Sequence, residues 1–214
     1  MAVVRVRQHV NPLSEKYQIP IALPDWNQSF AQPQRPLHID IGSARGIFAM
    51  EMARLQPEWN FLGLEIRKPL VEQAQRRKEE LGLTNLHLMF CNANLSFQPL
   101  MESWGAANPL QQVSIQFPDP WFKKRHQKRR VLQPALVNEL AQFLPVGGRV
   151  VVQSDVEELA LDMVEYLGEH PQFFRTVQDW LPKSPFPAQT DRERVTLDQG
   201  LPVYRAIFTR CELC

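Results

Sequence analysis

Leu37-His38-Ile39-Asp40-Ile41-Gly42-Ser43-Ala44-Arg45-Gly46, followed at once by Ile47-Phe48-Ala49-Met50-Glu51-Met52-Ala53-Arg54-Leu55, decides the fold of this 214-residue chain. An apolar strand pattern runs into a turn bracketed by Gly42 and Gly46, and the next nine residues carry apolar side chains at helical spacing. A strand that opens directly into a helix is the repeating unit of parallel sheets, because parallel neighbours need a crossover to return the chain.

The same unit recurs outward from this stretch. Residues 60–66 read as a strand, and a helix over 68–81 stops at Gly82. Residues 85–91 give a third strand, with a weaker helix through 100–104. Residues 113–117 form a fourth, followed by a helix over 133–144. After Pro145-Val146-Gly147-Gly148, residues 149–154 read as a fifth strand and 156–169 as a helix. The last candidate strands, near 173–180 and 203–210, are joined by a long loop without a clear helix and read as an antiparallel hairpin on the sheet edge. With right-handed crossovers, the expectation is an α/β, doubly wound, Rossmann-like sheet of seven mostly parallel strands.

Residues 1–36 have no sustained period and contain Asn11-Pro12, Ile19-Pro20, Leu23-Pro24, Gln32-Pro33 and Arg35-Pro36. They read as an N-terminal extension, extended or partly disordered, ahead of one domain over 37–214. A hydrophobic content of 44% supports one sizeable core. No apolar run approaches the roughly 20 residues that cross a bilayer, and the first residues lack a secretory pattern, so a soluble cytoplasmic protein is expected. The three cysteines fit a reducing compartment. Cys211 and Cys214 have metal-ligand spacing but no second pair, and the histidines are scattered, so no metal is expected.

Ligands of an open parallel sheet sit beyond the carboxyl ends of its strands, where the suspicious polar residues of this chain lie. Gly42 lets the backbone approach a ligand beside a helix N-terminus, although G-x-x-x-G departs from the dinucleotide G-x-G-x-x-G. Glu65 suits the ribose hydroxyls of an adenosine cofactor, whether NAD or S-adenosylmethionine. Asn92 suits either the adenine rim or an Asx turn. Asp40 needs a partner if buried: the amino group of an amino-acid-like cofactor, or backbone amides.

The formal net charge is only +1. Against that balance, Phe117-Pro118-Asp119-Pro120-Trp121-Phe122-Lys123-Lys124-Arg125-His126-Gln127-Lys128-Arg129-Arg130 sets a proline-stiffened acidic turn against the densest basic run in the chain. It reads as a catalytic turn with a nucleic-acid handle; the bland alternative is a solvated charged face. Trp121 either stacks on a base or braces the turn. The six cations from Lys123 to Arg130 are candidate phosphate contacts, with Arg5, Arg7 and Lys16 as possible additions.

These motifs, with residues 63–66, Thr190-Asp191-Arg192-Glu193 and Gly200-Leu201-Pro202-Val203-Tyr204-Arg205, resemble the bacterial tRNA (guanine-N7-)-methyltransferase family over about residues 37–210. The resemblance implies a class I methyltransferase domain that uses S-adenosylmethionine to form 7-methylguanosine in the variable loop of tRNA. It implies cofactor contacts at Asp40, Glu65, Asn92 and Asp119, beside the Gly42 already read from the turn, with Asp119 also in the catalytic place. It implies substrate contacts at Lys123, Asp155, Thr190, Asp191, Arg192 and Glu193. Read without the family, Thr190–Glu193 is an ordinary helix start. Many relatives carry glutamate at the place of Asp40, a more glycine-rich turn than Ser43-Ala44-Arg45, and aspartate at the place of Asn92. No protein partner is required by the sequence, and monomer and homodimer both remain open. The rivals are a nicotinamide dehydrogenase, a non-catalytic RNA-binding module, and a methyltransferase acting on another nucleophile.

Overall fold

The computed structural model describes residues 10–105 and 110–212, so Arg5, Arg7 and Cys214 lie outside the described residues. The chain runs through α1 (Trp26–Ser29), β1 (Leu37–Ile41), α2 (Ile47–Leu55), β2 (Asn60–Glu65), α3 (Lys68–Glu80), β3 (Leu86–Phe90), α4 (Ala93–Trp104) and β4 (Leu110–Gln116). It continues through α5 (Pro134–Phe143), β5 (Arg149–Ser154), α6 (Glu157–Gly168), β6 (Phe173–Arg175), α7 (Asp191–Asp198) and β7 (Tyr204–Arg210). One seven-stranded sheet has the order β3-β2-β1-β4-β5-β7-β6. The first five strands are parallel, and β7 runs antiparallel to both β5 and β6. The chain order reverses at β1, which puts the crevice for a ligand at the end of the strand that led the sequence argument.

Alternation along β1 explains the two cores. Leu37, Ile39 and Ile41 belong to a cluster with α4, α5, α6, Trp26 and Phe30. His38 faces the other layer, where its ring lies 5.3–6.1 Å from those of Phe48, Phe61 and Phe186. That second layer is built from α2, α3 and the segment around Phe186 and Ala188. Helices therefore cover both faces, as near-continuous apolar strands require.

Two local expectations differ from the structure. The loop between β6 and β7, read as having no clear helix, contains the full helix α7; it begins at the helix start read at Thr190–Glu193, where N-cap Thr190 accepts from the Glu193 amide at 3.0 Å. Its low mean apolarity hides it from a periodicity search, because only Glu193 and Thr196 are buried along it. The segment before β1 is also more structured than extended chain. Trp26 opens the one-turn α1 and Phe30 follows its end, and both rings meet Trp104 edge-on at 4.9 and 5.5 Å. Trp26 Nε1 also donates to Ser103 Oγ at 3.0 Å. Four residues are too few to show a period.

Phe30 is 1% exposed, whereas Leu23 is 50% exposed. Replacing Phe30 by alanine is expected to cost about 3–5 kcal/mol of unfolding free energy in urea titrations, the range for a buried phenylalanine. Leu23→Ala should stay within about 0.5 kcal/mol, as exposed substitutions do. Equally small effects would mean that this segment does not belong to the core.

Candidate active site

The turn after β4 is under backbone strain at both ends. Phe117 has φ 49° and Trp121 φ 45°, a left-handed conformation that bulky side chains rarely adopt. Pro118 and Pro120 restrict the residues between. Such strain persists only where surroundings over-determine it. Here the Phe117 amide donates to the Gln153 carbonyl at 2.8 Å, and Arg130 Nε donates to the Pro120 carbonyl at 2.7 Å. Arg130 is itself buried, held by Glu158 at 3.0 Å and by Asp162. It is therefore a brace rather than one of the expected phosphate contacts. Trp121 has the Arg129 guanidinium over its ring at 4.9 Å and the His126 ring edge-on at 5.9 Å. Of the two readings of Trp121, the structure shows the bracing contacts.

Two depressions meet at this turn. The first is a cleft at the carboxyl ends of β1, β2 and β3. It is lined by Gly42, Glu65, Asn92 and Asp119 among apolar walls that include Ile41, Leu64, Ile66 and Val131. The second is a broader groove containing Asp40, Arg45, Asp119, Phe122, Asp155, Thr190, Asp191 and Arg192. Gly42, Gln116, Pro118 and Asp119 line both. Asp119 thus stands at the junction. Lys123, exposed at the start of the 3-10 turn Lys124–Arg129, lines neither.

The carboxylates have partners that sequence alone does not disclose. Glu65 Oε1 accepts from the Arg67 amide and from Arg67 Nε, each at 2.8 Å, and Oε2 accepts from the Ala44 amide at 2.9 Å and from an Arg67 terminal nitrogen at 3.0 Å. Asn92 forms neither an Asx turn nor a side-chain cap; its amide donates to the carbonyls of Pro12 at 3.1 Å and Tyr17 at 3.3 Å. Asp155 pairs with Arg192, Nε at 2.8 Å. Asp191 pairs with Arg194. Glu193, expected at the substrate, is fully buried on Arg205 at 2.7 Å and does not line the groove.

Asp40 is held by side chains rather than backbone amides. Oδ1 accepts from Ser114 Oγ at 2.7 Å and Gln116 Nε2 at 3.1 Å. The chain of bonds continues from Gln153 Nε2 to Gln116 Oε1 at 2.8 Å, and from Arg205 Nε to Gln153 Oε1 at 3.2 Å. A buried polar row thus joins β1 to α7. Its sequence signal is polar residues at every second place, Ser114 and Gln116, in a central strand where apolar residues are the norm.

The family profile described as "Putative methyltransferase" matches residues 34–206. A tRNA (guanine-N(7)-)-methyltransferase from Synechococcus elongatus is 57% identical over 98% of this chain and 98% of its own length. The protein of that name from Thermosynechococcus vestitus is 56% identical over 98% and 96%. The chain belongs to the tRNA (guanine-N(7)-)-methyltransferase family. Among solved structures, the 16S rRNA methyltransferase KamB superposes with a TM-score of 0.63 at 14% identity, covering 89% of this chain and 95% of its own. An rRNA methylase from Streptococcus thermophilus gives 0.52 at 13% identity over 84% and 89%. At those identities the likeness is one of fold.

For a family member using S-adenosylmethionine, the electrostatics of Asp40 matter most. Burial pushes its carboxyl up to about 6, the Glu65 charge adds to this, and the hydrogen bonds from Ser114 and Gln116 oppose it. A carboxyl raised in the folded state keeps a proton that the unfolded chain has released, so its contribution to stability is lost as pH rises from about 3.8 to about 6. Asp40→Asn keeps an acceptor for both donors and removes the charge. The variant should match the parent near pH 4 and exceed it by up to about 3 kcal/mol at pH 7.5 in urea unfolding, at 1.36 kcal/mol per pKa unit. Comparing the two proteins at each pH cancels the opposing titration of buried His38, lowered to about 3 by desolvation. An equal difference at both pH values would mean that folding does not raise the Asp40 carboxyl.

Proposed function

We propose that this chain transfers a methyl group from S-adenosylmethionine to N7 of a guanosine in the variable loop of tRNA, forming 7-methylguanosine. The observation that carries the reading is the placement of Asp119 where the apolar-walled cleft and the broader groove meet. One space suits a small cofactor and the other a base presented by a macromolecule.

The residues of the cleft fit this cofactor. Gly42, at φ 86°, has no heavy atom within 4 Å of where a Cβ would stand, so a side chain there would project into free space that the ligand needs. Glu65 presents a carboxylate at the end of β2 for two ribose hydroxyls, which would take over the bonds now made by the Arg67 guanidinium while the two backbone amides stay. Asp40 lines the adjoining groove rather than the cleft, and offers negative charge there to an ammonium group that reaches past Gly42. Bound S-adenosylmethionine supplies an electrophilic methyl carbon.

Guanine N7 already exposes a lone pair, so the chain has no proton to remove before transfer. Its task is orientation, which saves roughly 7–11 kcal/mol when the reacting atoms are well aligned. Asp119 accepts from the guanine N1–H and exocyclic amine and stabilises the positive charge that develops on the ring. The strained turn and the Arg130 brace aim it. Lys123, Lys124, Arg125 and Lys128, all exposed, hold phosphates outside.

The test is incubation with labelled donor and unmodified tRNA, followed by nucleoside analysis for 7-methylguanosine. Methyl on a different nucleoside would favour the other-nucleophile reading, and binding without transfer the RNA-binding module. Tight NAD binding without donor binding would favour the dehydrogenase. Asp119→Ala should lower kcat about 10²- to 10³-fold, the cost of removing one preorganised electrostatic group. Retained turnover would remove Asp119 from the mechanism. Affinity for tRNA should fall with salt by about 0.7–0.9 log units per phosphate contacted for each log of salt. Lys124→Ala should reduce that slope, and Arg130→Met should leave it unchanged while lowering turnover.

A further inference from the structure

Phe122 is the unexplained residue of the turn. It is 66% exposed, an unusual place for a large aromatic ring beside a site. Its neighbours Lys123, Lys124 and Arg125 are exposed as well. Trp121 is taken up by Arg129 and His126. Phe122 instead lines the groove together with Asp119, Pro120, Asp155 and Arg192. An exposed π-face next to several cations matches the two needs of a single-stranded nucleic acid, backbone charge and base stacking.

We propose that Phe122 is a stacking platform for an unpaired nucleobase of the tRNA, beside the guanosine that enters the groove. The inference rests on RNA being the substrate and adds a contact that reads the flat face of a base rather than its phosphate. The charge complementarity selects this occupant: three adjacent cations repel a basic protein surface and attract a polyanion. Position along the chain supplies the rest, since Pro120 lies two residues before Phe122 and is fixed by Arg130. The ring is therefore presented from a braced turn rather than from a loose loop, which limits the ordering entropy lost on binding.

The test is a set of replacements read in equilibrium tRNA binding and in methyl transfer. Phe122→Ala should weaken tRNA binding and raise KM by about 5- to 150-fold, the loss of one base–aromatic stack, while kcat changes little. Phe122→Trp should retain affinity within about threefold because it keeps a π-face. Phe122→Leu keeps an apolar side chain without that face and should behave like the alanine variant. The salt slope should not change in any of them, since no phosphate contact is lost. An exposed ring contributes little to the core, so the unfolding midpoints should coincide and a folding defect is excluded by measurement. Wild-type affinity in Phe122→Ala, or full affinity in Phe122→Leu, would overturn the inference while leaving methyl transfer by the parent intact. Absence of transfer by the parent would instead strike the proposed function.

Discussion

The row of buried polar side chains across the sheet is the constraint on which the site depends. Strand register sets it: Asp40 is the partner of Ser114, Gln116 of Gln153, and Gln153 of Arg205. A slip of one residue in any of these pairings would turn that side chain to the opposite face, into the α4–α5–α6 core. The row therefore ties the correct register of four strands to polar satisfaction. At its far end the buried Glu193–Arg205 pair fixes α7, and with it Thr190, Asp191 and Arg192, relative to Asp40. Removing one partner of such a pair leaves a buried charge uncompensated, typically at about 3–5 kcal/mol. The Ser114 hydroxyl donates its hydrogen bond to Asp40, which leaves His38 Nε2 as the donor to Ser114 at 2.9 Å and His38 Nδ1 as an orphan acceptor among the described residues. One unsatisfied atom at the apolar end of the row is the residual cost of the arrangement.

The second constraint is local and of opposite character. Where the polar row is fully buried, the turn 117–121 stores strain at the surface, of order 1–3 kcal/mol for each residue in a sparsely populated conformation. Arg130 opposes its relaxation by binding the Pro120 carbonyl while Glu158 and Asp162 of α6 hold the guanidinium. The aim of Asp119 is thereby linked to a helix on the far layer. The link runs through one side chain in the most basic segment of the sequence.

Much of this fold is legible in the sequence because its strands are short apolar runs and most of its helices are long enough to show a period. The first strand and helix, Leu37–Ile41 and Ile47–Leu55, agree with the reading to the residue. The exceptions have physical reasons. α1 has one turn, and α7 buries Glu193 and Thr196 instead of an apolar stripe. In the site, the residue types at the strand ends are legible but their partners are not. Nothing in a run of cations separates Lys124, which faces solvent, from Arg130, which is buried. Likewise Arg67 and Arg205 look like ordinary surface arginines until the fold brings Glu65 and Glu193 to them.

That pairing of arginines with carboxylates separates two uses of negative charge. Glu65, Asp155 and Glu193 each face a guanidinium, so their charge is compensated locally and their bonds serve geometry. Asp40 is held by neutral donors alone, Ser114 and Gln116, and its charge remains uncompensated beneath the groove. Burial makes that charge costly, as its raised pKa shows. The cost is relieved when a cation arrives, so the same desolvation that destabilises the folded chain strengthens attraction for a positively charged ligand. Outside, the exposed run Lys123–Arg125 carries the opposite sign. On the proposed reading, a cationic methyl donor and a polyanionic RNA are thus drawn by charges of opposite sign, with Asp119 lining both the cleft and the groove.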